Sequence, residues 1–195
     1  MSILWGLGSV PCLAADFANT KEHRLAYEAQ QKLEQEDYQA CIQLLKPHLN
    51  KRERPAASLF VLYAQALKEM GQEMEAVHIY ARAAELYPQD GLIQRNYAVS
   101  NLQAGRLAQA ARLFERAFEQ DGSKELLHQA GAAWFEAKEY EHAARIMQHL
   151  VGKTKKPKEA WVELLVYSLV QAHKWTEAEN RLQSLLNHRP NSSKL

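Results

Sequence analysis

Small residues recur along the chain at a fixed distance from bulky ones, and the interval itself repeats. Cys41/Leu45, Ala76/Tyr80, Ala110/Phe114, Ala143/Met147 and Ala178/Leu182 each set a small side chain four places before a large one, and successive pairs stand 35, 34, 33 and 35 residues apart. Twelve positions before the first member lies another small residue in four of the five units, Ala29, Ala64, Ala98 and Gly131, with Val166 in the fifth. Apolar residues spaced by three and four predict helices. Between the two small positions of each unit falls a turn signal: Gln35-Glu36-Asp37-Tyr38, Gly71-Gln72, Gly105-Arg106, Lys138-Glu139-Tyr140 and His173-Lys174-Trp175. Units close at Pro88, Gly122 or Pro190, and Pro55 and Pro157 stand where a new helix would begin. The pattern predicts five antiparallel helix pairs over about 21–50, 56–89, 91–121, 124–152 and 157–189.

A small residue where two helices cross lets their backbones approach, and large neighbours such as Tyr63, Leu67, Tyr80, Tyr97 and Phe114 fill the flanks. One hairpin cannot cover both of its faces, so each must stack on the next. This register of small and bulky positions resembles the tetratricopeptide repeat family, with about five repeats covering nearly the whole chain and the closest agreement in Ala57–Asp90 and Gly91–Lys124. The resemblance implies an all-α fold, a right-handed superhelical solenoid of antiparallel helix pairs whose first helices line a concave groove for an extended or helical peptide.

On that geometry Gln30, Leu33, Val61, Gln65 and Lys68 face the groove from the first two units. Arg95, Asn96, Val99 and Leu102 do so from the third, His128, Gln129, Ala132 and Phe135 from the fourth, and Glu163 and Tyr167 from the fifth. The expected peptide-binding residues are Gln65, Arg95, Asn96, Val99, Leu102, His128, Phe135 and Tyr167. Val99, Leu102 and Phe135 offer an apolar floor and Arg95, Asn96 and His128 offer donors, which suits a peptide with one hydrophobic anchor beside a carboxylate or backbone carbonyl. In the competing reading, Leu102 and Phe135 seal the packing of adjacent hairpins. The chaperone co-factor branch of the family clamps a terminal carboxylate with a Lys and an Asn of its first unit. Ala26 and Gln30 stand there instead, so that activity is not expected.

Three departures carry expectations of their own. Cys41 takes an alanine position, and Pro47 should kink or end the second helix near Gln43 to Lys46, because it lacks an N–H. Gln94, where the family sets an aromatic, should weaken the third hairpin locally.

Composition narrows the function. With 47% apolar and 24% charged residues among 195, the chain has the balance of a soluble globular protein. Its 24 basic and 23 acidic residues leave a formal charge of +1, too little for a field that would hold nucleic acid or an anionic membrane. The basic runs Lys51–Arg54 and Lys153–Lys158 fall between repeats and read as solvated linkers.

Residues 1–15 carry no charge and end in small residues, as a secretory signal remnant does, although a basic leading segment is missing. The alternative is an N-terminal segment buried on the first hairpin. The first reading places the protein in the periplasm or another exported location, the second in the cytoplasm. Gly6, Gly8 and Pro11 interrupt a run already too short to span a membrane. Residues 191–195 read as the opening of another hairpin or a tail. Either the array continues, or the stripe of Leu182, Leu185 and Leu186 with Trp175 supports self-association through the last hairpin.

Chemistry is not signalled. Eight histidines are scattered, and His142 with His149 and Glu139 lacks the spacing of a metal-binding motif. Gly152-Lys153-Thr154 imitates the end of a phosphate loop, but Met147 occupies the place of the required upstream glycine. No catalytic, cofactor-binding or metal-binding residues are expected, and the reading is a non-enzymatic scaffold for a protein or peptide, with a structural self-associating module as its alternative.

Overall fold

Ten α-helices run through residues 20–50 and 54–187, the part of the chain that this computed structural model describes. They are α1 (Thr20–Glu34), α2 (Tyr38–Leu49), α3 (Ala57–Glu69), α4 (Glu73–Leu86), α5 (Gly91–Gln103), α6 (Leu107–Asp121), α7 (Lys124–Glu136), α8 (Tyr140–Gly152), α9 (Glu159–Gln171) and α10 (Trp175–Asn187). No strand occurs among the described residues.

The short turns inside the helix pairs are all built alike. Each puts one residue in the left-handed region, Glu36, Gly71, Gly105, Lys138 and His173, with φ of 59°, 72°, 73°, 63° and 59°. The next residue's N–H then donates to the carbonyl five positions back: Asp37 to Lys32, Gln72 to Leu67, Arg106 to Asn101, Glu139 to Trp134 and Lys174 to Leu169, at 2.8–3.0 Å. This is the helix ending in which a left-handed residue folds the chain back onto its own last carbonyls. It stops one helix and starts the next within three residues.

Helix starts are set by local chemistry as well. The Asp37 carboxylate accepts from the Ala40 N–H at 3.1 Å, and that of Asp90 from Leu92 and Ile93 at 3.0 and 3.1 Å, so each satisfies donors left open at a helix N-terminus. Of the two effects expected of Pro47, a kink or an end of α2 near Gln43 to Lys46, the end is corrected, since α2 continues to Leu49 and Asn50 N–H still donates to the Lys46 carbonyl. Pro47 falls in the last turn, where its missing N–H removes a single ladder bond.

The helices gather into two compact units that meet in sequence between Gln72 and Glu73. In the first, α1, α2 and α3 pack on one another, with Ala29, Cys41 and Leu45 fully buried. Burial pushes the Cys41 thiol up to about 11, so it behaves as a small apolar side chain. In the second unit each helix from α4 to α10 packs on its neighbour in sequence, and α7 also meets α9. One core runs through it from Ala98 to Ala178 and includes Phe114, Met147, Leu165 and Leu169. Burial also raises the Tyr80 phenol above its ordinary value.

Gln94 corrects a second expectation. It is buried, but its amide Nε2 donates to the Ala84 and Tyr87 carbonyls, both at 3.4 Å. Those carbonyls close the C-terminal end of α4, so the glutamine ties α5 to α4 where an aromatic would only fill space.

Candidate functional site

The first helix of each pair in the second unit carries most of the residues expected to bind a partner. From α5 come Arg95, Asn96, Val99 and Leu102, from α7 His128 and Phe135, and from α9 Tyr167. Gln65 lies on α3 in the first unit and is half-buried there.

The exposed members differ in their freedom. Tyr167 is 60% exposed, with the exposed Glu163 one helical turn before it. Arg95 is exposed, and its guanidinium lies 3.5 Å from the Asp121 carboxylate at the end of α6, an ion pair between half-exposed side chains. Such a pair holds the guanidinium weakly and leaves it open to a competing acceptor. Asn96 is half-buried.

The apolar members are committed largely to packing. Val99, Leu102 and Phe135 are partly buried against the continuous core. The Phe135 ring also meets the Tyr140 ring edge-on, with centroids 5.3 Å apart. Two other residues placed in the groove from sequence, Leu33 and Val61, are buried in the first unit. Their helices carry neighbours on more than one side, so a stripe defined by helical spacing includes packing positions.

His128 belongs to a cluster joining the fourth and fifth hairpins. Its ring lies 6.1 Å from that of Trp161, whose other neighbour is the Lys158 ammonium 5.0 Å from the ring centroid. Lys158 also pairs with Glu125. Burial pulls the His128 imidazole below its ordinary pKa, Lys158 adds to that effect and Glu125 opposes it. The hydrogen bond from Lys158 holds the Glu125 carboxyl below the usual carboxylate range. His128, half-buried, is thus a tie between hairpins.

His142 and His149, weighed from sequence as metal ligands, each meet an aromatic ring: His142 stacks on Trp134 at 4.9 Å and His149 meets Phe118 edge-on at 6.4 Å. Among the described residues no three His, Cys, Asp or Glu side chains converge as metal ligands would, and no helix is long and apolar enough to cross a membrane. Residues 1–15 and 191–195 lie outside the described residues. Arg112 of α6 and Arg145 of α8, which nothing in their own segments marks, are exposed on the second helices of their pairs.

No protein-family model matches the chain, and neither does any curated protein. Solved structures do. MamA 41-end from Desulfovibrio magneticus RS-1 aligns with a TM-score of 0.64 and 15% identity, covering 90% of this chain and 99% of that one. MamA of AMB-1 gives 0.65 at 11% identity, covering 89% and 94%. The nearly identical TPR-like repeats of a Podosopora anserina protein of the kinesin light chain type give 0.62 at 14% identity, covering 90% and 98%. At these identities the likeness shows the fold, a tetratricopeptide-like array of helix pairs.

Proposed function

We propose that the protein is a non-enzymatic scaffold that engages a protein or peptide partner along α5, α7 and α9, in a bacterial cell envelope. The observation that carries the reading is the exposure of Tyr167, at 60%, on the same succession of helices as the loosely paired Arg95. An aromatic ring and a guanidinium are the side chains that most often anchor a partner, and an exposed phenol has no packing role of its own. The helix-pair fold shared with MamA supports an interaction module in preference to an enzyme. The envelope location rests on the uncharged run of residues 1–15.

Capture from an envelope extract by the wild-type chain and by Arg95→Ala/Tyr167→Ala tests the reading, followed by direct titration of whatever is retained. A partner held by the wild type and lost from the double variant supports it. Equal retention by both removes the α5–α9 surface from consideration.

A second reading is self-association through α10, favoured by the exposure of Trp175 at 58% and Leu182 at 46%. The two stand seven residues apart on one face of α10, and exposed apolar side chains on one helix face commonly mark a place where a partner sits. Sedimentation over a range of concentrations separates the two readings: a mass that rises with concentration, and is restored to the monomer by Leu182→Glu, supports self-association.

A further inference from the structure

The second helices of the second unit carry an open depression of about 300 Å³, lined by Arg112 and Glu115 of α6, Trp134 of α7, and Glu139, His142 and Arg145 at the start and along the length of α8. Trp134 is its buried centre. Its indole Nε1 donates to the Glu115 carboxylate at 2.5 Å, His142 stacks on the ring at 4.9 Å and a 26° tilt, and the Arg112 guanidinium lies 5.6 Å from the ring centroid. Glu139 in turn lies 3.6 Å from His142 Nδ1.

Each carboxylate of the lining therefore has a partner within it, the indole for Glu115 and the imidazole for Glu139. The arginines differ. Arg112 and Arg145 are exposed, and among the described residues neither has a carboxylate within ion-pair distance. Their open donors come from two helices onto one depression, and Arg112 is steadied over an aromatic face. A planar guanidinium presents a fork that matches the two oxygens of a carboxylate, which makes arginine more selective for that group than lysine. The two glutamates bring as much negative charge as the arginines bring positive, so the lining suits a singly charged anion better than a dianion.

We propose that this depression binds a carboxylate side chain, Asp or Glu, presented by a partner polypeptide. The site is built on α6 and α8 around Trp134 of α7 and shares no residue with the partner surface read above from Arg95 and Tyr167, so either can fail without the other.

The indole N–H of Trp134 reports on the site directly. Its NMR cross-peak, assigned by its loss in Trp134→Phe, is followed while the folded chain is titrated at constant ionic strength with a capped peptide carrying two Glu. Matched peptides with Gln or phosphoserine in the Glu positions form the other arms, and Arg145→Gln is the variant because glutamine keeps the helix and the change leaves the Trp134 contacts in place. A saturable shift with the Glu peptide, none with the Gln peptide and an apparent Kd raised about tenfold or more by Arg145→Gln would support the proposal, tenfold being the loss of one charge-assisted hydrogen bond. A Gln peptide that binds equally, an unchanged Kd in Arg145→Gln, or no saturable shift would overturn it. Tighter binding of the phosphoserine peptide would overturn the assignment to a carboxylate.

Discussion

Gly131 on α7 and Met147 on α8 stand closer than any side chain larger than glycine's would allow: a Cβ built on Gly131 would lie 2.4 Å from Met147 Sδ and 2.8 Å from its Cγ. Both residues are positions of the repeat frame, the upstream small residue and the bulky one that follows the anchor. The close crossing of two helices inferred from residue size is here a distance.

Gly131→Ala sets two effects against each other. Alanine favours a helix interior over glycine by about 1 kcal/mol, whereas overpacking a filled core costs roughly 1–3 kcal/mol. Met147 is fully buried and the clash falls on its middle atoms, so the second effect should win. Urea unfolding is expected to show a net loss of about 1 kcal/mol, and Met147→Val should recover part of it. Stability equal to or above wild type would mean the methionine has room to swing aside.

The turns offer a gain. Lys138 holds φ at 63°, where Gly71 and Gly105 sit in the equivalent turns. Lys138→Gly should stabilise the protein by roughly 0.5–1 kcal/mol, the left-handed cost of a side chain less the added entropy of glycine in the unfolded chain. Gly105→Ala should lose about as much. Thermal unfolding of both variants tests the pair, and the same sign of change in each would contradict it.

Asn101 is fully buried, three places after Ala98, where other units carry Leu67, Trp134 and Leu169. Its Nδ2 donates to the Tyr97 carbonyl at 2.8 Å, but its Oδ1 has no partner among the described residues. Asn101→Leu should therefore raise stability by about 1 kcal/mol, since it removes an unpaired buried oxygen and adds apolar contact. A loss measured by chemical denaturation would show that the oxygen is satisfied in solution.

The His128 imidazole titrates below its ordinary value of 6.5 in the fold, so the unfolded chain binds more protons in the window just beneath that pH. Its contribution is present above pH 6.5 and falls away as pH drops through the window toward the folded pKa. Glu125, with a lowered pKa, gives a contribution that is lost only at more acidic pH. His128→Gln should flatten the slope of unfolding free energy against pH just below 6.5 and leave the acid limb in place. An unchanged slope would mean that burial and Lys158 do not hold the imidazole down.

Arg95→Ala should change stability by no more than about 0.5 kcal/mol, because its ion pair with Asp121 is half-exposed. If the α5–α9 surface binds a partner's acidic or carbonyl group, the same variant should weaken that binding by roughly 1–3 kcal/mol. Early melting with normal binding would assign Arg95 to the fold.

The helix-pair frame was legible because its signal is local and repeated. A small residue before a bulky one, with a turn signal upstream, names a crossing and a loop within about twenty residues of sequence. Gln94 was misread because its partners, Ala84 and Tyr87, belong to the end of the preceding helix and no side-chain rule points to them. Pro47 was misread as a stop because a proline removes only its own bond to the carbonyl four residues back, and the ladder resumes past it with Asn50 N–H on the Lys46 carbonyl. The Trp134 depression was invisible for another reason: Arg112, Trp134 and Arg145 lie on three helices, and each is an ordinary residue in its own segment. Of the residues named for partner binding, spacing distinguished helix faces but could not separate Tyr167 in solvent from Phe135 against the core.

The turns within pairs share one backbone shape, but the breaks between pairs in the second unit are closed by three different means. After α4 the closing group is the Gln94 amide, after α6 it is Gly122 with a φ of 69° and its N–H on the Phe118 carbonyl, and after α8 it is the Thr154 hydroxyl on the Leu150 carbonyl. Each hairpin is thus a standard part, and each joint is made to fit one pair of neighbours. A hairpin moved to another place in the array would keep its own bend but meet a joint cut for a different piece. The order of the repeats is written in their seams.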